Sequence, residues 1–433
     1  MRKTLNRSRS LLLSLASAGA LVTAAVVAAQ ADEPPPGLAA PLAPFAPAQI
    51  AWSPSVAPKA LSTHVERGLT FLVKHQLPDG GWGQGEESAN MGAYGGALAE
   101  KSNVADTCVT ALALMRAGST PAAGRHAQAL TRGVEYVLGQ IERSDADSLS
   151  ITDVTGTRVQ GKLGAYVDTF MASLMLAEAK GHMPDPAREA RLAKALDKVL
   201  HKIQKNQRDD GGFENAGWAP VLAQAVAGKG LNRAAQKGAV VNDNNRKKFE
   251  SWASKQYDSR GGGFEGEGSA GVGLYAAAAT VGTLDESKNT RSIEREVAAK
   301  KVADRRTLTE AEYNEAMGQI KEAADIEKAA SEAQRSVIKQ LEDPSFVAGF
   351  GSNGGEEFLS YMLLAESLVA KGGKEWADWD KSMTANLNRV QNNDGSWSSH
   401  HCITGRNFVT AAALLVLTAD RAQVPLAAKI KQG

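Results

Sequence analysis

Two short runs hold the side chains of sharpest chemical character in this chain, Asp106-Thr-Cys108 and His400-His401-Cys402. Together they offer carboxylate oxygen, thiolate sulfur and imidazole nitrogen, the donor types that hold zinc in a tetrahedron. On that reading Asp106, Cys108, His400 and Cys402 are metal ligands, and Asp106 and His401 are the acid–base groups. The spacing matches no standard zinc motif. A second reading joins Cys108 to Cys402 in a disulfide; closing so long a loop would stabilise the fold by roughly 4–5 kcal/mol in the chain-entropy model. In a third, the groups are unrelated and Cys108 packs as a small apolar residue. The residues leave all three open.

Whether the two runs meet depends on the elements that carry them. A heptad, Gln-x-x-Asp-Gly-x-aromatic, occurs as Gln76 to Trp82, Gln207 to Phe213 and Gln391 to Trp397, each time after an amphipathic helix. Asp-Gly makes a tight turn with Gly supplying a positive φ. The aromatic then packs on the helix end, where the Gln side chain can bond exposed carbonyls. Units repeated in this way bury their apolar faces only against neighbours.

Taking each heptad as a joint divides the chain into six helix pairs. The amphipathic outer helices are expected at 59–76, 121–143, 185–206, 244–257, 325–342 and 374–391. The inner ones, Ala-rich and apolar on most sides as buried helices are, are expected at 104–117, 166–181, 217–228, 268–282, 355–371 and 406–420. The joint over 144–165 has lost the heptad and reads as a polar loop with Asp145, Asp147 and Asp153; those at Tyr257–Phe264 and Ala348–Phe350 are degraded copies. Six hairpins whose ends meet make an all-α protein, an (α/α)6 toroid over 59–425. Residues 284–333 interrupt the pattern as a densely charged helical insertion, with a capping box at Thr307-Leu-Thr-Glu310, and offer a docking surface for a partner protein.

The ends indicate an address. Arg2, Lys3, Arg7 and Arg9 precede the apolar run Leu11 to Ala29, and Ala29-Gln30-Ala31 suits cleavage, so 1–31 reads as a signal peptide. A periplasmic or secreted protein without a stable membrane span after cleavage is expected. A Pro-rich linker follows at 32–58. With 49 basic against 48 acidic residues, nothing points to nucleic acid as a partner.

Heptads and inner helices together resemble the prenyltransferase and squalene-oxidase repeat family, which includes squalene and oxidosqualene cyclases and the β subunits of protein prenyltransferases. The resemblance covers nearly all of 59–420 outside the charged insertion. It implies a terpenoid-cyclase-like toroid that binds or processes an apolar or peptide ligand, as a zinc-dependent, isoprenoid-related transferase in its strongest form. Cyclases of this kind protonate an alkene with Asp-x-Asp-Asp; the nearest run here, Asp145-Ala-Asp147, lacks the third carboxylate. Protein prenyltransferases hold zinc with Asp-x-Cys at one inner-helix start, which Asp106-Thr-Cys108 matches, and a His on a neighbour, where the position near Val409 is apolar.

Inner helices begin at one rim, so Asp106, Asp168, Glu357 and Arg406 are expected to converge there. The loop from Gly83 to Ser102, with Glu86, Glu87 and Tyr94, would cover the mouth. Trp82, Tyr94, Asp168, Glu357 and Arg406 are the expected substrate-binding residues. Convergent carboxylates also suit a glycosidase or polysaccharide lyase, and a non-catalytic scaffold is the remaining alternative. At the helix starts, Asp106 and Asp168 also have a purely structural reading as N-caps.

Overall fold

The computed structural model describes residues 50–88, 96–214, 216–347 and 351–426. The signal segment, most of the linker and Tyr94 lie outside them. The described chain is mostly helical. In order it runs β1 (Ala51–Pro54), α1 (Thr63–Lys74), α2 (Gly96–Ala99), α3 (Val104–Arg116), α4 (Ala127–Arg143), α5 (Arg158–Leu163), α6 (Val167–Ala179) and α7 (Pro186–Asn206). It continues with α8 (Pro220–Gln236), α9 (Asp243–Lys255), α10 (Gly273–Ala303), α11 (Glu310–Leu341), α12 (Pro344–Val347), α13 (Gly355–Lys371), α14 (Gly373–Val390), α15 (Arg406–Leu417) and β2 (Gln423–Leu426).

Six of these helices are the apolar ones. α3 packs on α6, α6 on α8, α8 on α10, α10 on α13, α13 on α15, and α15 back on α3. Each is buried along most of its length, α3 from Val104 to Leu114 and α8 from Val221 to Gln236. The amphipathic helices α1, α4, α7, α9, α11 and α14 each lie against one or two of them. No helix among the described residues is long and apolar enough to cross a membrane.

The heptads show how neighbouring pairs are fastened. Gln76 Nε2 donates to its own turn at Gly80 O (2.7 Å) and to Ala129 O (2.8 Å) in the first turn of α4. Gln391 does the same with Gly395 O and His64 O in α1, both at 2.8 Å. Trp82 Nε1–H reaches back to Leu72 O (2.7 Å) and Trp397 Nε1–H to Leu387 O (2.8 Å). Each tryptophan N–H on the backbone is received by an inner-helix threonine, Thr107 or Thr410. Gly80, Gly211 and Gly395 have φ of 92°, 90° and 92° and press against the carbonyls of Arg132, Lys248 and Arg67 in α4, α9 and α1. Each joint therefore grips the outer helix of the following pair, and the last grips α1. Each Gln reaches the start of the next outer helix as well as carbonyls of its own turn.

At 144–165 a lysine does the fastening. Lys202 of α7, fully buried, donates to Ser148 O (2.8 Å) and Ser150 O (2.9 Å). That stretch is not all loop, since Thr157 and Gln160 form a capping box that starts α5.

Three boundaries differ from the sequence expectation. The segment 284–333 is no separate insertion: α10 runs unbroken through it to Ala303, and α11 returns along α10. Its first turns, to Glu294, are largely buried because their charges find partners: Glu286 meets Lys229 (2.8 Å), and Arg291 meets Glu250 (2.8 Å) and Glu294 (2.8 Å). The capping box sits at Thr309 and Glu312, because Thr307 belongs to the 3-10 turn between the helices. The third inner helix extends to Gln236 because Lys229 and Arg233 are likewise paired in the interior. Finally, the end of the Pro-rich segment is ordered: β1 pairs antiparallel with β2, Ala51 opposite Leu426 and Pro54 opposite Gln423, and the Trp52 ring lies under Lys237 Nζ at 4.0 Å.

Candidate functional site

Hydrogen bonds stitch the inner-helix starts to one another. Ala105 N–H donates to Asp168 Oδ1 (2.9 Å), Ala219 N–H to Lys162 O (2.7 Å), Val221 N–H to Gly268 O (3.3 Å), and Gly355 N–H to Ile403 O (2.8 Å). Asn407 N–H reaches Gln84 O (3.2 Å), two residues after the first heptad. The starts therefore share one rim.

Asp106 and Asp168 meet there, though neither caps its own helix. Asn103 is the N-cap of α3: its Oδ1 accepts from Asp106 N–H (2.9 Å), and its Nδ2 donates to Asp106 Oδ2 (2.6 Å). Asp168 caps its neighbour α3 through Ala105 and accepts from Gln160 Nε2 (2.7 Å) through its other oxygen. Both are buried. Burial pushes the Asp106 carboxyl up to about 7; the Asn103 bond opposes this, and the charges of Asp168 and Glu87 add to it. Burial likewise raises Asp168 to about 6 against the bonds from Gln160 and Ala105. Asp106 Oδ1 has no partner. Beside them Glu87 is ion-paired with Arg158 at 3.0 Å.

The expected zinc cluster does not gather at one point. Cys108 is fully buried, and burial together with the Asp168 charge raises its thiol pKa. Cys402 sits with other groups: its Sγ is 2.8 Å from His401 Nδ1, and it faces the Glu356 carboxyl and the Lys162 ammonium. Burial, then Glu356, push the Cys402 thiol up to about 11. His400 is exposed on a surface cleft of about 710 Å³ with Glu86, Glu87, Asp394 and Arg406. Among the described residues no three His, Cys, Asp or Glu side chains are grouped as a metal ion would need. Both cysteines are free thiols, so no disulfide joins them.

Three expected ligand contacts have other work. Trp82 is fully buried in its joint. Glu357 accepts from Gly351 N–H (2.6 Å), Asn353 N–H (2.8 Å) and Tyr361 Oη–H, which holds the loop ahead of α13. Arg406 binds Glu86 (2.9 Å), Asp394 and Ser396 at the edge of the surface cleft. Tyr94 lies outside the described residues. Glu356, which opens the fifth inner helix beside Glu357, is fully buried, accepts from Ile403 N–H (3.2 Å) through Oε2 and faces the Cys402 thiol. Tyr275, Asn407, Lys162 and Asn103 were missed. Asn407 alone carried a signal, since it opens the inner helix whose sequence parallels that of Asp106. The threonines Thr107 and Thr410 show that the true register is two residues different.

Among the described residues two clefts of several hundred Å³ stand out, and neither is lined by Asp106 or Asp168. One is the cleft just described. The other, about 760 Å³, is an apolar groove between α11, α13 and α14, lined by Leu341, Phe358, Trp379, Met383 and Leu387 among others. A comparison with models of known protein families matches none of them.

Proposed function

We propose that this chain forms an (α/α)6 toroid of the kind its repeats resemble, and that it processes an apolar or peptide ligand by proton transfer at the rim where the inner helices begin. The closed series of inner-helix contacts supports the toroid. The Asp106–Asp168 pair carries the chemistry. With carboxyls at about 7 and about 6, the pair holds one proton near neutrality, and the unpartnered Asp106 Oδ1 is the oxygen available to give or take it. Asn103 and Gln160 fix the other oxygens. Export to the periplasm or beyond remains part of the proposal and rests on residues 1–31.

A second reading, a carbohydrate-active toroid, is favoured by the polar cleft beside Arg406 and by Trp218, exposed at the rim with Lys162 Nζ 5.2 Å from its ring. A scaffold acting through 284–333 would leave both sites idle.

The test is turnover by the full chain of squalene, farnesyl diphosphate, prenylated peptides and an oligosaccharide set, followed by mass spectrometry with zinc content measured on the same sample. We expect a product from an isoprenoid or peptide that disappears in Asp106→Asn. An oligosaccharide product sensitive to the same change would move the assignment to the second reading. Turnover indifferent to Asp106→Asn, or none at all, sinks the proton-transfer role.

A further inference from the structure

Asp106 and Asp168 are 0% and 2% exposed, and neither lines the two clefts described above. A ligand reaches them only when a covering element moves. The segment 83–88 is tied down on both sides of them. At the start of α15, Gly83 O accepts from Asn407 Nδ2–H (2.8 Å), Gln84 O from Asn407 N–H (3.2 Å) and Glu86 O from Arg406 N–H (3.0 Å). At the start of α5, Gln84 Oε1 accepts from Arg158 N–H, and Glu87 pairs with the Arg158 guanidinium at 3.0 Å. Around the ring α15 packs on α3 and α3 on α6, into which α5 leads. A segment held at α15 and at α5 therefore crosses the first turn of α3, which carries Asp106, and the Glu87 charge is felt at that carboxyl.

The first amides of a helix have no partner within it, and α15 has no side-chain cap of its own. The N–H groups of Arg406 and Asn407 are satisfied by the Glu86 and Gln84 carbonyls instead, and that of Arg158, the first residue of α5, by the Gln84 side chain. Two helix ends are thus capped by a piece of chain that belongs to neither.

The charged ties end on arginines, Glu87 on Arg158 and Glu86 on Arg406 at 2.9 Å. Within the segment, Gly85 has a φ of 74°, a region where glycine turns freely and a hinge can absorb a change of direction. Glu86, Glu87 and Ser88 also line the surface cleft, together with Asp394, His400 and Arg406. The same six residues therefore separate the open cleft from the buried pair.

We propose that the segment 83–88 is a gate between the surface cleft and the Asp106–Asp168 pair, latched by Arg158 and Arg406. A ligand resting in the cleft gains the carboxyls when the latch gives way. The purpose of the gate rests on the proton-transfer reading above; its motion does not.

Hydrogen exchange of the full chain without substrate, read at single amides by mass spectrometry, tests it. Opening frees the N–H groups of Gly85, Arg158, Arg406 and Asn407 together, since each bonds to or from this segment. These four should share one protection, lower than that of the 170–176 amides in α6. Low urea should leave it unchanged, because a local opening exposes little surface. Arg158→Ala and Glu87→Ala cut the latch from its two sides. Each should speed the four by roughly tenfold and leave 170–176 as they were, with thermal unfolding to show that each variant folds. Four unrelated protections, exchange that follows global unfolding in urea, or rates unmoved by both substitutions would each overturn the gate. A gate that opens as expected in a chain that turns over no substrate stands, and only the proton-transfer role falls.

Discussion

Asp106 and Asp168 bind protons more tightly in the folded chain than unfolded, with carboxyls at about 7 and about 6 against an ordinary 3.8. A carboxyl raised in this way contributes most stability at low pH and loses it as pH rises from its unfolded to its folded value. The melting temperature should therefore fall between about pH 4 and pH 7, and Asp106→Asn should flatten that limb. A melting curve equally steep in the variant would deny the buried proton. The thiols give a second contrast. Replacing Cys402, at φ 57°, with Gly relieves an imposed conformation and should leave stability unchanged or raise it by up to ~1 kcal/mol. Cys108→Ser puts a hydroxyl into an apolar setting and should cost ~1–3 kcal/mol. Urea unfolding measures both, and unfolding without reductant should expose two free thiols, as the structure shows. Neither the position of Asp168 as cap of the neighbouring helix nor the difference between Glu356 and Glu357 was legible in the sequence. Adjacent identical residues part company only because the 351–353 loop offers its N–H groups to one of them.

At the scale of elements the glycines of the outer helices discriminate. A Cβ on Gly68 of α1 would lie 2.7 Å from the buried Trp397 ring and 3.0 Å from Leu414. Gly68→Ala should therefore destabilise by ~1–3 kcal/mol despite the better helix former. On Gly139 of α4 a Cβ meets only the far end of Arg143, at 3.3 Å, so Gly139→Ala should stabilise by up to ~1 kcal/mol. Equal effects would mean that the tryptophan joint is slack. The helix pairs themselves were readable because heptad and amphipathic period repeat together. The lengths of α8 and α10 were not, because Lys229, Arg233 and Glu286 look like solvent-facing residues until their partners, some fifty positions away, are known.

Those partners make a single interior knot at the far ends of the inner helices. Glu366 joins Arg116 (2.6 Å) and Lys229 (2.7 Å), Lys229 joins Glu286 (2.8 Å), and Arg233 reaches Glu286 (3.2 Å) and Gln423 O (2.8 Å) in β2. The cations hold Glu366 and Glu286 below the ordinary 4.5 against the effect of burial. Carboxyls depressed in this way contribute stability above their unfolded pKa and lose it as pH falls through the folded value. The whole molecule should thus melt earlier again below about pH 4.5, which gives an optimum in mild acid. Glu366→Gln should cost ~3–5 kcal/mol, since it leaves two buried cations short of a partner; a smaller loss in calorimetry would mean that the knot can relax.

The third heptad holds α1 by the same contacts with which the first holds α4, and Pro54 lies opposite Gln423. The joint between the third heptad and α1 is therefore built like the joint between the first heptad and α4. A circular permutant that connects Leu426 to Ala51 by a short linker and opens at the turn after Arg116 should fold to the same helix packing. What the native order adds is timing: a polypeptide delivered from its amino end leaves α1 ungripped until Gln391 arrives.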